Sequence, residues 1–454
     1  MVEVVTLETP QLGDRSYLVH DGRQAVVIDP QRDVDRLLAL ADAARVTITC
    51  VAETHIHNDY VSGGWALARG LGARYLVASD EEVGFERHPV GEGDRLEVGS
   101  MTLETLATPG HTPGHLAFLI WAGREPRAVF SGGSLLYGAV GRTDLISPAM
   151  TVELARAQHR SARRLAALPE ELQLFPTHGF GSFCASGPAT RSEPGGTIGD
   201  QRSVNPAVLE GEEEFVRRLV AGYSLYPRYY AYMDGINREG AEPADLSLPA
   251  EVDLDQVGRT IAAGGWVIDL RPGTEFGASH VAGTVNFPAG DLLATYVGWV
   301  VPWGSPLTLV ASSPEQVARA RRDLGRIGAD WLAGWCSAPL AELQRELGSS
   351  SYLVTDFAGL ARAVGSEEIQ VLDARRPDEW LEGHVRNATN IHLPDLLERV
   401  GGLPDRPTWV HCGGGYRASV AASLLDRAGR EVVLVDDDLS RIGEAGLELV
   451  RGSG

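Results

Sequence analysis

Cysteine is scarce in this chain. Four residues in 454 (Cys50, Cys184, Cys336 and Cys412) stand far apart and form no C-x-x-C pair. That excludes a disulfide frame and points to a reducing cytoplasm and to thiol chemistry. Positive charge is also short: 40 Lys and Arg against 61 Asp and Glu leave a net charge of −21. A body this acidic attracts neither nucleic acid nor an anionic membrane surface. Long apolar runs are missing too, and none reaches the length of a membrane span. The N-terminus, MVEVVTLETPQ, lacks the basic and apolar regions of a secretory signal. What remains is an ordinary globular composition, 44% apolar, on a chain too long for one core. About three domains are expected.

Histidine, by contrast, is concentrated. THIHNDY (54–60) sets His55, His57 and Asp59 between the apolar run ITCVAE and the pair Gly63-Gly64. This predicts a strand-to-helix loop in which alternate residues converge, and imidazoles two apart can grip one ion. His111 in TPGHTPGH and His178 in FPTHGFG arrive in similar glycine-flanked settings after apolar runs. Short β-branched runs (QAVVIDP, ITCVAET, RYLVAS, MTLETLAT, LAFLIW, RAVFSG) alternate with helical patterns such as VDRLLALADAAR and ELARAQHRSARRLAAL. That mixture predicts a layered α/β sandwich. Ala185 to Asn205 reads as a long loop, YPRYYAY (226–232) as a packing patch, and residues 236–250 as a linker.

HxHxD, PGHT and a last strand-end histidine together resemble the metallo-β-lactamase superfamily over residues 1–235. VGRTDL (140–145), PTHGFGSFC and TIGDQRSVNP resemble its persulfide dioxygenase branch. The resemblance implies an αββα sandwich with a mononuclear iron at which a low-molecular-weight persulfide is oxidised. His55, His57 and His111 match one metal position, Asp59 and His178 the other. Two departures stand out. Tyr60 replaces the last histidine of HxHxDH, and Ser131-Gly132-Gly133 replaces a T-G-D segment whose aspartate bridges both positions. At most one metal per chain is therefore expected, and a substoichiometric amount is allowed: Fe(II), with Zn as the alternative. Restoring an aspartate at Gly133 is expected to raise iron occupancy. Arg142 matches the arginine that meets the substrate carboxylate, although a loop-bracing ion pair would account for it equally. Cys184 is expected near the metal.

The chain then repeats itself. Asp269, Arg271, Glu275, His280 and Asn286 recur at the same spacing as Asp373, Arg375, Glu379, His384 and Asn390. Both copies resemble the rhodanese family, with expected limits 251–347 and 348–454, and these polar residues read as loop braces. Only the second copy has a nucleophile. TWVHC runs into Cys412-Gly413-Gly414-Gly415-Tyr416-Arg417 ahead of the helix ASVAASLLDRAG. Glycines, a helix N-terminus and Arg417 all favour an anionic sulfur. Cysteine phosphatases resemble C-x5-R; this C-x4-R loop is smaller and suits one added sulfur atom. In the first copy LTLVA runs into Ser312-Ser313-Pro314, so that copy is expected to be a silent spacer. The resulting expectation is sulfane-sulfur metabolism: persulfide oxidation at the metal and sulfur transfer through Cys412. The small-molecule partners are a thiol persulfide, sulfite or thiosulfate, and a homo-oligomer is allowed. The alternatives are a zinc-dependent thioester hydrolase with an accessory rhodanese, or a sulfur carrier with a degenerate metal domain.

Overall fold

The structure is a computed structural model that describes residues 2–179, 181–186, 196–364 and 368–452. It divides into two compact units, Met1–Asp245 with Gly325–Gly328, and Leu246–Leu324 with Ala329–Gly454.

The first unit is a sandwich of two sheets. One has six strands in sequential order from Glu3–Thr9 to His88–Val90; the other runs Gln173–Pro176, Glu125–Gly132, Leu116–Ala122, Met101–Ala107, Arg95–Val98. Their inner faces share a core that includes Tyr17, Val26, Leu76, Phe118 and Phe130, all fully buried. Helices Asp35–Ala44 and Gly64–Leu71 cover the outer face of the first sheet through Leu37 and Leu67. Helices Thr151–Ala166 and Glu212–Ala221 cover the second through Leu165 and Phe215. This is the expected αββα order, produced by strands that are apolar on both faces because each sheet is covered twice.

Two expectations are corrected. The long loop ends early: Thr197 and Asp200 form a reciprocal capping box that starts helix Ile198–Val204. The rest of that loop, 187–195, lies outside the described residues. The expected linker is helical at its start, because helix Tyr230–Glu239 belongs to the first unit. Asn237 there donates to the carbonyls of His57 and Tyr60, each at 2.8 Å.

The second unit holds two parallel sheets. The first orders Val285–Asn286, Trp266–Asp269, Leu307–Val310, Leu332–Cys336; the second orders Leu353–Thr355, Val432–Val435, Thr408–His411, Gln370–Asp373, Thr389–Asn390. The repeated residues do the same work in both. Asp269 grips Arg271 and Asp373 grips Arg375 at 2.6 Å, while Asn286 and Asn390 each donate to the carbonyls of that pair. His280 stacks on Phe276 and His384 on Trp380, each imidazole bonding through Nδ1 to the carbonyl of its stacking partner. Gly283 (φ 84°) and Asn387 (φ 63°) share the left-handed conformation, which asparagine tolerates. No helix among the described residues is long and apolar enough to cross a membrane.

Candidate metal centre and sulfur site

The loop between strand Thr47–Ala52 and helix Gly64–Leu71 delivers His55 and His57 to the end of the sandwich. His111 and His178 meet them there, with ring centroids 4.7 Å (His55–His111), 5.2 Å (His55–His178) and 5.1 Å (His111–His178) apart. All four are 2% exposed or less.

Each imidazole has one nitrogen tied outward. Thr54 Oγ1 donates to Asp29 at 2.7 Å, so it accepts from His55 Nδ1 at 2.9 Å. His57 Nε2 faces Glu53 at 3.3 Å and Asp29 at 3.4 Å. His111 Nδ1 donates to the Arg142 carbonyl at 2.6 Å. His178 Nδ1 lies 2.9 Å from Asp14 and 3.1 Å from Asp59. The inner nitrogens are left facing one another. His57 Nδ1 and His111 Nε2 are buried without a hydrogen-bond partner, and His55 Nε2 stands 3.2 Å from His178 Nε2. Two imidazole nitrogens at that distance need a shared proton or a cation between them. Outer N–H groups held by carboxylates, a hydroxyl and a carbonyl, with inner lone pairs converging, are what metal-binding histidines require. The residues fit one divalent cation.

Burial pulls His55 and His111 down, His111 to about 3, so both are neutral. Burial also opposes the charged forms of His57 and His178, but carboxylates outweigh it. Asp29 and Glu53 hold His57 near 9; Asp59 and Asp14 hold His178 near 10. Burial and the neighbouring Asp59 push Asp14 up to about 8.

The grouping differs from the expected one. His178 joins His55 and His57, whose ligand atoms all lie within 4.8 Å, and a second set within that spacing is His111, His178 and Cys184. Asp59 Oδ2 bonds the outer nitrogen of His178, with Asp14, while Asp59 Oδ1 is buried without a hydrogen-bond partner; Asp14, Asp59 and His178 form a further set within that spacing. Tyr60 stacks on His57 (centroids 4.3 Å) and closes the nest around its Nε2. Arg142 is corrected from substrate binder to brace: 2% exposed, its guanidinium is used by Asp144 and by the carbonyls of Phe183 and Ser224. A cavity of about 590 Å³ is lined by Asn58, which lies between His57 and Asp59, with Gly114, Tyr226, Tyr230 and the acids Asp80, Glu81 and Asp234. Three residues of the expected packing patch, Tyr226, Tyr230 and Ala231, therefore face this cavity.

Gly132-Gly133 has a steric reason. A Cβ on Gly133 would lie 2.4 Å from His111 Cδ2, and one on Gly132 (φ 54°) 2.5 Å from His115 Nε2. The space an aspartate would need is filled by the His111 ring. His115, which sequence reasoning passed over, accepts from Gly133 N–H at 2.9 Å and stacks on His55 (centroids 4.9 Å). Its signal was present: it is the second histidine of a PGH repeat. Asp14, Asp29 and Glu53 were also missed, since a lone carboxylate on or beside a strand gives no sign of the imidazole it will meet.

In the second unit, strand Thr408–His411 ends at Cys412, which is 1% exposed, and Gly413 to Gly415 lead into helix Tyr416–Arg427. Gly415 has φ 86°, and a Cβ there would strike Asp436. Arg417 forms a two-pronged pair with Glu379 at 2.5 and 2.8 Å. Strand register makes Ala311 the counterpart of Cys412 in the first repeat: Asp269 pairs with Val310 as Asp373 pairs with His411. Cys336 is the last residue of its own strand. The first repeat nevertheless reaches the sulfur site. Tyr296, from the wholly buried helix Leu293–Val300, packs on Tyr416 (centroids 5.3 Å), and Trp299 meets His392 (4.9 Å).

Residues 12–178 match the family model of the metallo-beta-lactamase superfamily, and residues 357–445 that of the rhodanese-like domain. The mitochondrial persulfide dioxygenase ETHE1 of Mus musculus is 26% identical over 243 residues, 53% of this chain and 81% of that protein. A hydroxyacylglutathione hydrolase of Synechococcus sp. is 32% identical over 166 residues, 35% of this chain and 60% of the hydrolase. The crystal structure of a metallo-beta-lactamase from Staphylococcus aureus superposes with a TM-score of 0.66 at 30% identity, covering 74% of this chain and 98% of the other. That share exceeds what the first unit alone can supply. The chain belongs to the metallo-β-lactamase superfamily, in a fusion that carries a rhodanese-like domain at its C-terminal end.

Proposed function

We propose that the first unit oxidises the outer sulfur of a small thiol persulfide at one cation held among His55, His57, His111 and His178, and that Cys412 carries sulfane sulfur in the second unit. The observation that supports the first half is the convergence of four inner imidazole nitrogens whose outer partners are fixed. The similarity to persulfide dioxygenases supports the substrate class. When bound, ferrous iron would supply the activation of O2 that zinc cannot. The overall step balances as RSSH + O2 + H2O giving RSH, sulfite and two protons. The chain's own contribution is to keep the imidazoles in fixed tautomers and the site dry. At Cys412 the sulfur attacks the sulfane sulfur of a donor such as thiosulfate. The donor S–S bond breaks, sulfite leaves with the electron pair, and a cysteine persulfide remains. Glycines without side chains and the helix N-terminus would receive its negative charge. The proposal includes a reducing, cytoplasmic setting, in keeping with four free cysteines.

The test is elemental analysis of anaerobically purified protein alongside an oxygen electrode with glutathione persulfide. Iron with persulfide-dependent oxygen uptake is expected. Zinc-loaded protein that cleaves a glutathione thioester and consumes no oxygen would instead support hydrolysis, the reading favoured by the hydroxyacylglutathione hydrolase similarity. Metal-free protein with intact sulfur transfer would leave only the carrier role.

A further inference from the structure

We infer that Cys184 is the anionic metal ligand in this chain, taking over the charge that the family's strand aspartate would bring. The inference rests on the metal reading above and concerns only how the site is completed. Four imidazoles are neutral as ligands, and in a buried site a divalent cation held by them alone keeps its whole charge. Gly133 offers no donor, and the His111 ring fills the space in which one could be built. Asp59 Oδ2 is taken up by the outer nitrogen of His178, which leaves Oδ1 as its only open oxygen.

Cys184 stands on the other side. It is fully buried, in no disulfide, and its sulfur lies within 4.8 Å of the ligand atoms of His111 and His178. The Tyr230 hydroxyl lies 3.9 Å from the sulfur, and the Asp59 carboxylate also accepts from the thiol; burial and Asp59 together hold it protonated while no cation is bound. His111 Nε2, independently, is buried with no partner. One residue fixes both. The Arg142 carbonyl accepts from His111 Nδ1 at 2.6 Å, its N–H donates to the Cys184 carbonyl at 2.8 Å, and its guanidinium holds the Phe183 carbonyl. The buried arginine is thus a positioning residue that sets the histidine and the cysteine at one distance. On binding a divalent cation the thiol gives its proton to solvent, and the sulfur–metal bond replaces the S–H bond. A thiolate with imidazoles selects iron, cobalt or zinc over magnesium and calcium.

The probe is cobalt(II), added anaerobically to the full-length protein and to its Cys412→Ala variant. Both should show one thiolate-to-cobalt charge-transfer band in the near ultraviolet per bound ion. Cys184→Ala and Cys184→Ser should lose that band, keep the weaker visible bands of an imidazole-held cobalt, and bind it roughly 10-fold or more weakly. Two variants are used, with far-ultraviolet circular dichroism as the check on folding, because the alanine leaves a void. A band that persists in both Cys184 variants, or cobalt bound by wild type without the band, overturns the inference and leaves the persulfide proposal standing. Wild type that takes up neither cobalt nor iron overturns both.

Discussion

At the residue scale, Gly133 reverses the expectation drawn from its alignment. An aspartate there would seem to restore a ligand, but its Cβ would lie 2.4 Å from His111. Gly133→Asp should therefore destabilise the protein by about 1–3 kcal/mol, the usual cost of overpacking. It should also lower bound metal per chain, because the ring that must move is itself an expected ligand. Urea unfolding and elemental analysis check both; a gain in iron would show that His111 yields easily. The same residues show what sequence could and could not reveal. HxHxD and the two later histidines were legible because ligands near each other in sequence leave a pattern. Their outer partners were not, because Asp14 reaches His178 and Asp29 reaches Thr54 only after strands far apart in sequence come together. Nor was the fate of Arg142, whose carbonyl partners have no sequence signature.

At the element scale, helix Tyr416–Arg427 is held to its own repeat by Glu379. Burial disfavours the Glu379 carboxylate, but Arg417 outweighs it and holds its pKa below the ordinary value. Its ion pair thus stabilises fully above the unfolded carboxylate range and fades as pH falls through the folded value. Glu379→Gln should cost about 1–2 kcal/mol at neutral pH, allowing for partial solvent screening. The difference from wild type should shrink as pH falls below about 4; denaturation midpoints measured across pH would show it, and a constant gap would refute the pairing. Helix Leu293–Val300 gives a second expectation. Tyr296→Ala, a change in the repeat that lacks a nucleophile, should expose Cys412 and raise its alkylation rate by iodoacetamide several-fold. The pairing of the two repeats was legible from five matched positions. So was the counterpart of Cys412, since LTLVA ends at Ala311 where TWVHC ends at Cys412, and the strand register agrees.

At the scale of the whole molecule, two compact units predict two unfolding transitions in calorimetry. A cation at 100 times its Kd should raise the stability of the first unit by about 2.7 kcal/mol and leave the second transition unmoved. Chelator should reverse the shift. The order of elements along the chain was largely legible, since buried parallel strands and amphipathic helices carry strong periodicity. The extent of the first unit was not, because Asn237 serves the distant His57–Tyr60 loop from a segment that looks like linker. Helix Leu293–Val300 also gives the duplication a direction. If Cys412 acts as proposed above, mutation at Ala311 should cost sulfur transfer little, whereas mutation of Tyr296 or Trp299, which pack on Tyr416 and His392, should damage it. A saturation mutagenesis screen for sulfur transfer should find tolerance at Ser312 and Ser313 and intolerance along that helix. On that expectation, selection would keep the first repeat for the surface it lends to the second rather than for a reaction of its own.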